Sequence, residues 1–120
     1  MERARASRRR QKLRDLRSER DRLEEALLDS RELIRGSLLK RYLLAGGKVR
    51  GTPAHYLCVR RSDGRNQFIY VRQADLERVC SHVEAYRQYR RGLSRLRRVA
   101  KEILDGLDHL AEDLELPPQP

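Results

Sequence analysis

The sequence predicts an α+β fold: a long antiparallel helical hairpin, coiled-coil-like, with a small three-stranded antiparallel sheet inserted at its tip. Two leucine series at heptad spacing, one in each half of the chain, and a glycine-punctuated, β-prone middle carry that prediction. Composition agrees. Apolar and charged residues each make up 38% of the chain, with one Phe and no Trp, which suits narrow helical seams better than a thick core. A single domain is expected over 1–116, followed by a disordered tail at 117–120 where Pro-rich chain ends the helix.

The first helix is placed at 3–35. Leu13, Leu16, Leu23, Leu27 and Ile34 alternate three and four residues apart, with Arg20 and Ser30 in the remaining slots. Gly36 is the stop signal. The sheet is placed at 37–72. Its strands are the runs 38–44, 55–61 and 66–72; the first also has the composition of a helix. Gly46, Gly47, Gly51 and Pro53 mark a loop, and Asp63-Gly64 signals a hairpin. The second helix is placed at 73–115. Asp75 and Glu77 fall in its first turn, where the dipole favours carboxylates. Its seam reads Tyr86, Tyr89, Leu93, Leu96, Ala100, Ile103, Leu107, Leu110, Leu114. Gly92 and Gly106 each weaken that helix by about 1 kcal/mol relative to Ala.

Charge predicts how the helices pair. Residues 1–20 carry net +6 and 21–34 net −3; residues 86–101 carry +7 and 102–115 carry −6. Antiparallel pairing with residue numbers summing to about 120 sets plus beside minus twice. A sum near 110 sets arginine against arginine instead. Leu76, Val79 and Val83 are then free to cover the sheet. A two-chain coiled coil is the rival arrangement.

Net charge is +10, from 28 Lys and Arg against 18 Asp and Glu. The share without an internal counterpart lies in 35–72, with nine basic residues and one acid, and in whatever part of the 86–101 run is left unpaired. A polyanion is the partner such a balance implies, because neutralised phosphates release counterions. A three-residue Ser62-Asp63-Gly64 loop, with Gly64 left-handed, separates the hairpin faces. One face then holds Leu57, Val59, Ile69 and Val71; the other holds Tyr56, Cys58, Arg60, Phe68, Tyr70 and Arg72. A two-residue turn shifts the parity and scrambles this division. Aromatics mixed with arginines suit bases and phosphates, although Tyr and Phe are also simply good strand residues. Tyr56, Arg60, Tyr70 and Arg72 are therefore the candidate contacts. Lys48 and Arg50, in AGGKVRGTP, join them: backbone amides of such a loop can hold phosphate, or the loop is a plain connector. It is not a P-loop, lacking the second Gly-Lys-Ser/Thr element. Arg87, Arg90, Arg91, Arg95 and Arg98 extend the set along the second helix, or form a solvated coiled-coil face.

No catalytic function is expected. Ser-His-Asp and Cys-His arrangements lack supporting spacing. His55, Cys58, Cys80 and His82 are the one conceivable metal set, but Cys80 and His82, two apart on a helix, point to different faces. No metal and no cofactor are predicted. Two cysteines make no disulfide framework and fit a reducing cytoplasm. No run approaches the roughly 18 apolar residues of a membrane span. The Arg-rich start lacks an apolar h-region and runs into the heptads, so it reads as structure, not as a leader.

The chain carries Gly36-Ser37-Leu38 after the first helix, a Gly-rich loop and a Tyr-containing strand. A Gly turn, Ile69-Tyr70-Val71 and then Val83-Glu84-Ala85-Tyr86-Arg87 follow. In these features the segment from Ile34 to about Leu96, roughly half the chain, resembles an uncharacterised family of small basic bacterial proteins associated with mobile elements. Many members carry several cysteines in the loop; Gly46 to Tyr56 has none, so no metal site carries over. A sheet plus helix is also similar, at the level of fold alone, to the DNA-binding arm domains of some integrases. The expectation is a non-catalytic nucleic-acid-binding protein, for DNA or RNA. Its setting is that of an accessory subunit beside a larger protein in a mobile-element nucleoprotein complex. It is expected as a monomer or coiled-coil dimer in the cytoplasm, with no membrane contact. The rival is a coiled-coil protein-interaction adaptor without direct nucleic-acid contact.

Overall fold

The computed structural model describes residues 2–42, 44–45, 48–49, 51 and 53–118. In chain order the elements are α1 (Glu2–Leu28), β1 (Ser37–Arg41), β2 (Leu44–Ala45), β3 (Lys48–Val49), β4 (Ala54–Arg60), β5 (Asn66–Val71) and α2 (Gln73–Leu114). The predicted α+β class holds: two long helices, with a three-stranded antiparallel sheet inserted between them in the chain. The chain forms two compact units, Met1–Ser30 with Arg90–Pro120, and Arg31–Tyr89.

In the helical unit, α1 and the later turns of α2 run antiparallel. A Cβ built on Gly106 lies 2.6 Å from Leu13 Cδ2, and one built on Gly92 lies 3.2 Å from Leu27 Cδ2. Each glycine is thus the floor of a hole that receives a leucine, as knobs-into-holes packing requires. Arg9 pairs with Asp113, and Arg95 Nη2 lies 2.6 Å from Glu19 Oε1. This is the register the charge blocks predict. The seam of α2 differs from the expected one. Gly92, Leu96, Val99, Ile103, Gly106, Leu110 and Asp113 turn inward, and Val99 is fully buried. Leu107 and Leu114, expected in the seam, are 49% and 50% exposed. Glycine, valine and aspartate hide this heptad, because neighbouring leucines make a stronger apolar series one residue away. On α1 the seam matches the expected slots and extends back to a buried Ala6.

The first helix ends at Leu28, not at 35. Asp29 N still donates to Glu25 O at 3.0 Å, but Ser30 N turns to Leu27 O at 3.1 Å, tightening the last turn. Asp29 and Ser30 favour this exit because their side chains compete for nearby backbone groups. Ile34, expected on the helical seam, instead packs on the core of the sheet-bearing unit, with its N donating to His82 O at 3.1 Å.

The sheet has the order β1-β4-β5, and β2 and β3 form a separate two-stranded ladder. Buried Leu57 and Val71 on the inner face pack against Val79 and Val83 of the first turns of α2, with Leu38, Val59 and Leu76 half-buried around them. Ile69 lies on the same face but is 43% exposed, because β5 is an edge strand and the core takes only its Val71 end. Gly36 has a steric role beyond ending a helix. A Cβ there meets Cys58 O at 2.8 Å and Val59 Cγ1 at 3.1 Å. The strand backbone cannot move aside as a side chain can. Gly36→Ala is therefore expected to destabilise this unit by about 1–3 kcal/mol. A urea midpoint equal to the parent's would show that β1 can shift without cost.

Candidate nucleic-acid interface

The hairpin turn decides what the sheet presents. Gly64 N donates to Arg61 O at 3.0 Å, and Arg61 N donates to Arg65 O at 2.8 Å. Gly64 has φ +85°, the left-handed region that glycine adopts without strain. Asp63 Oδ1 accepts from Arg65 N at 2.9 Å, fixing the loop from within. The three-residue loop sets the predicted parity. Tyr56 stands opposite Tyr70, Cys58 opposite Phe68, and Arg60 opposite Asn66. On the other side of β4, Ser37, Leu39 and Arg41 pair with Cys58, Tyr56 and Ala54, so they share this outer face.

The outer face is aromatic and basic. Tyr70 is 61% exposed and Phe68 49% exposed, while Tyr56 is half-buried between its neighbours. The Tyr56 and Tyr70 rings meet edge to face, with centroids 5.7 Å apart. The Arg41 guanidinium lies 5.7 Å from the Tyr56 centroid and 5.6 Å from that of Phe68. At an exposed site such a cation–π contact is worth about 0.5–1 kcal/mol. Stacking of a base on an aromatic side chain is worth about 1–3 kcal/mol, so a base can displace it. Among the described residues, no Asp or Glu stands on this face of the three strands.

At the hairpin end of the sheet, β4 runs on past the start of β1 and leaves an open cleft of about 500 Å³. Arg35, Arg60 and Arg61 line it, with Ser62, Asn66 and Tyr86. No carboxylate lines it among the described residues. Arg61 lies 3.9 Å from Asp63, a weak exposed pair, whereas Arg35 and Arg60 make no ion pair among the described residues. Three arginines line one solvent-open space, and a guanidinium is a planar fork of donors that matches the geometry of phosphate.

The predicted contact residues are placed unequally. Tyr56, Arg60 and Tyr70 share the outer face. Arg72 is a 77% exposed side chain at the junction of β5 and α2, where its Nε donates to Asp75 Oδ2 at 3.0 Å. Part of its charge therefore serves the helix start. Arg50 lies outside the described residues, and of Lys48 only the backbone, in β3, is described. Arg87, in the sheet-bearing unit, lies 3.7 Å from Glu84. Arg90, Arg91, Arg95 and Arg98 belong to the helical unit; Arg95 is taken up by Glu19, while Arg90, Arg91 and Arg98 are exposed. Arg41, Arg35 and Arg61 were not among the predicted contacts. Leu38 and Leu39, adjacent and equally apolar, conceal which face Arg41 takes. Among the described residues no His, Cys, Asp or Glu group is arranged to hold a metal ion, and no helix is long and apolar enough to cross a membrane. No family model, curated protein or solved structure matches this chain.

Proposed function

We propose that this chain is a non-catalytic nucleic-acid-binding protein that engages its ligand through the outer face of the β1-β4-β5 sheet. The observation that carries the reading is exposed Phe68 and Tyr70 beside half-buried Tyr56, sharing one face with Arg41 and Arg60 and, among the described residues, with no acid. Exposed aromatic surface contributes nothing to the core on the other side of the sheet. It gains its value when flat π-systems cover it, and the arginines supply donors for the phosphates that accompany such rings. An accessory role in a mobile-element nucleoprotein complex is the setting that the family resemblance implies.

Salt dependence tests the reading. Raising salt fourfold from a low starting concentration is expected to weaken binding of a labelled oligonucleotide by about 10- to 100-fold, as counterion release contributes less. A flat response, or no binding at low salt, defeats it. A second reading has its own support. Leu104, Leu107 and Leu114 on α2 are 64%, 49% and 50% exposed and recur along one helix face. Such a stripe suits the docking helix of a coiled-coil adaptor. The adaptor reading predicts that nucleic acid is not bound at any salt concentration.

A further inference from the structure

We infer that the ligand of the sheet face is single-stranded, its bases stacked on Tyr70, Phe68 and Tyr56 and one of its phosphates held by Arg35, Arg60 and Arg61. This rests on the nucleic-acid reading above and narrows it. Within a duplex the faces of the bases are covered by their neighbours. Rings laid on a sheet surface can stack only on bases that have left a helix, as in loops, ends and single strands.

The rows of the sheet place the pieces in order. Phe68 and Tyr70 lie two residues apart on β5, about 7 Å along the strand, a stride that suits successive bases of an extended nucleotide chain. Tyr70 is the more exposed ring, and the cation–π contacts of the described residues fall on Tyr56 and Phe68. Tyr70 is therefore the open platform, while Arg41 holds the place of a base on the other two. One row beyond Cys58 and Phe68 comes the Arg60–Asn66 pair, and Arg60 leads into the cleft it shares with Arg35 and Arg61. A strand running along the face thus passes from aromatic rows to a basic row. Three guanidiniums recognise phosphate without reading sequence.

The full chain and three labelled probes test this: oligo-dT and oligo-U of ~15 nucleotides, within the usual site sizes, and a DNA duplex of equal length. Single strands are expected to bind about tenfold or more tightly than the duplex. Comparing oligo-dT with oligo-U separates DNA from RNA. Tyr70→Ala should weaken single-strand binding about 5- to 100-fold with the salt slope unchanged, and Tyr70→Phe should restore it. Replacing Arg35, Arg60 and Arg61 together with Ala should reduce the salt slope by about 0.7 for each phosphate that is no longer neutralised. Tyr70 is exposed, so Tyr70→Ala leaves the core intact, and an unchanged circular dichroism spectrum verifies it. Duplex binding as tight as single-strand binding, or a Tyr70→Ala protein equal to the parent, overturns the inference while the nucleic-acid reading stands. Failure to bind all three probes overturns that reading instead.

Discussion

Replacing Val83 with Asp is expected to unfold the sheet-bearing unit. Val83 is 3% exposed and packs with Leu57, Val71 and Val79. All its core neighbours are apolar, so an ionised carboxylate there has no partner. An unpaired buried charge costs about 3–5 kcal/mol. Small domains have only about 5–15 kcal/mol in total, and a core with four buried side chains belongs at the low end. Amide exchange reads the outcome: β4 and β5 should lose protection together. Val83→Ala, which removes volume without adding charge, should cost only about 1–3 kcal/mol and leave the unit folded. Protected β4 and β5 amides in the Val83→Asp protein would mean that this cluster does not hold the sheet. The effect reaches the proposed interface, although Val83 is not on the outer face. The rows of Tyr56, Phe68 and Tyr70 exist only while the inner face is packed. The Val83→Asp chain, one charge below the parent's +10, should therefore keep a salt-sensitive attraction from its net positive charge but lose the contribution of Tyr70.

The hairpin was legible in the sequence because local chemistry decides it. Ser62-Asp63-Gly64 contains the glycine that a left-handed turn position needs and the aspartate that closes the loop. With loop length set, the period of two assigns every residue of β4 and β5 to a face. The helix register was legible for a different reason, since blocks of opposite charge have one antiparallel arrangement that matches both ends. The end of α1 was not legible. Ile34 fits the heptad, and only the core of Leu57, Val71, Val79 and Val83 claims it for the sheet. Nor was the seam of α2. Gly92 and Gly106 read as weak points of a helix, but they face Leu27 and Leu13, and no single-chain pattern reveals what a glycine faces. At the interface, Arg41 depended on the β1 register, and Arg35 and Arg61 on a cleft formed where one strand outruns its neighbour.

Exchanging Glu19 and Arg95 should show what holds the helical unit in register. Glu19 Oε1 accepts from Arg95 Nε at 2.8 Å and lies 2.6 Å from its Nη2. The side chains are 27% and 41% exposed, so the pair is partly screened. Its coupling is expected at about 1–2 kcal/mol, above a fully exposed pair and below a buried one. Glu19→Arg and Arg95→Glu singly should each cost about 1–3 kcal/mol, since each sets like charges face to face. The double exchange should return close to the parent, and urea denaturation of the four proteins gives the coupling directly. A coupling near zero would mean that packing alone sets the register. Matching of apolar residues is by itself poorly suited to do so. Slipping the helices by one heptad sets Leu13 opposite Val99 and Leu16 opposite Leu96, which still joins apolar to apolar. The slip separates Arg9 from Asp113 and Glu19 from Arg95, and it moves the basic start of α1 away from the acidic end of α2. Two leucines in glycine holes and two ion pairs agree on one register, and the slipped register lacks both.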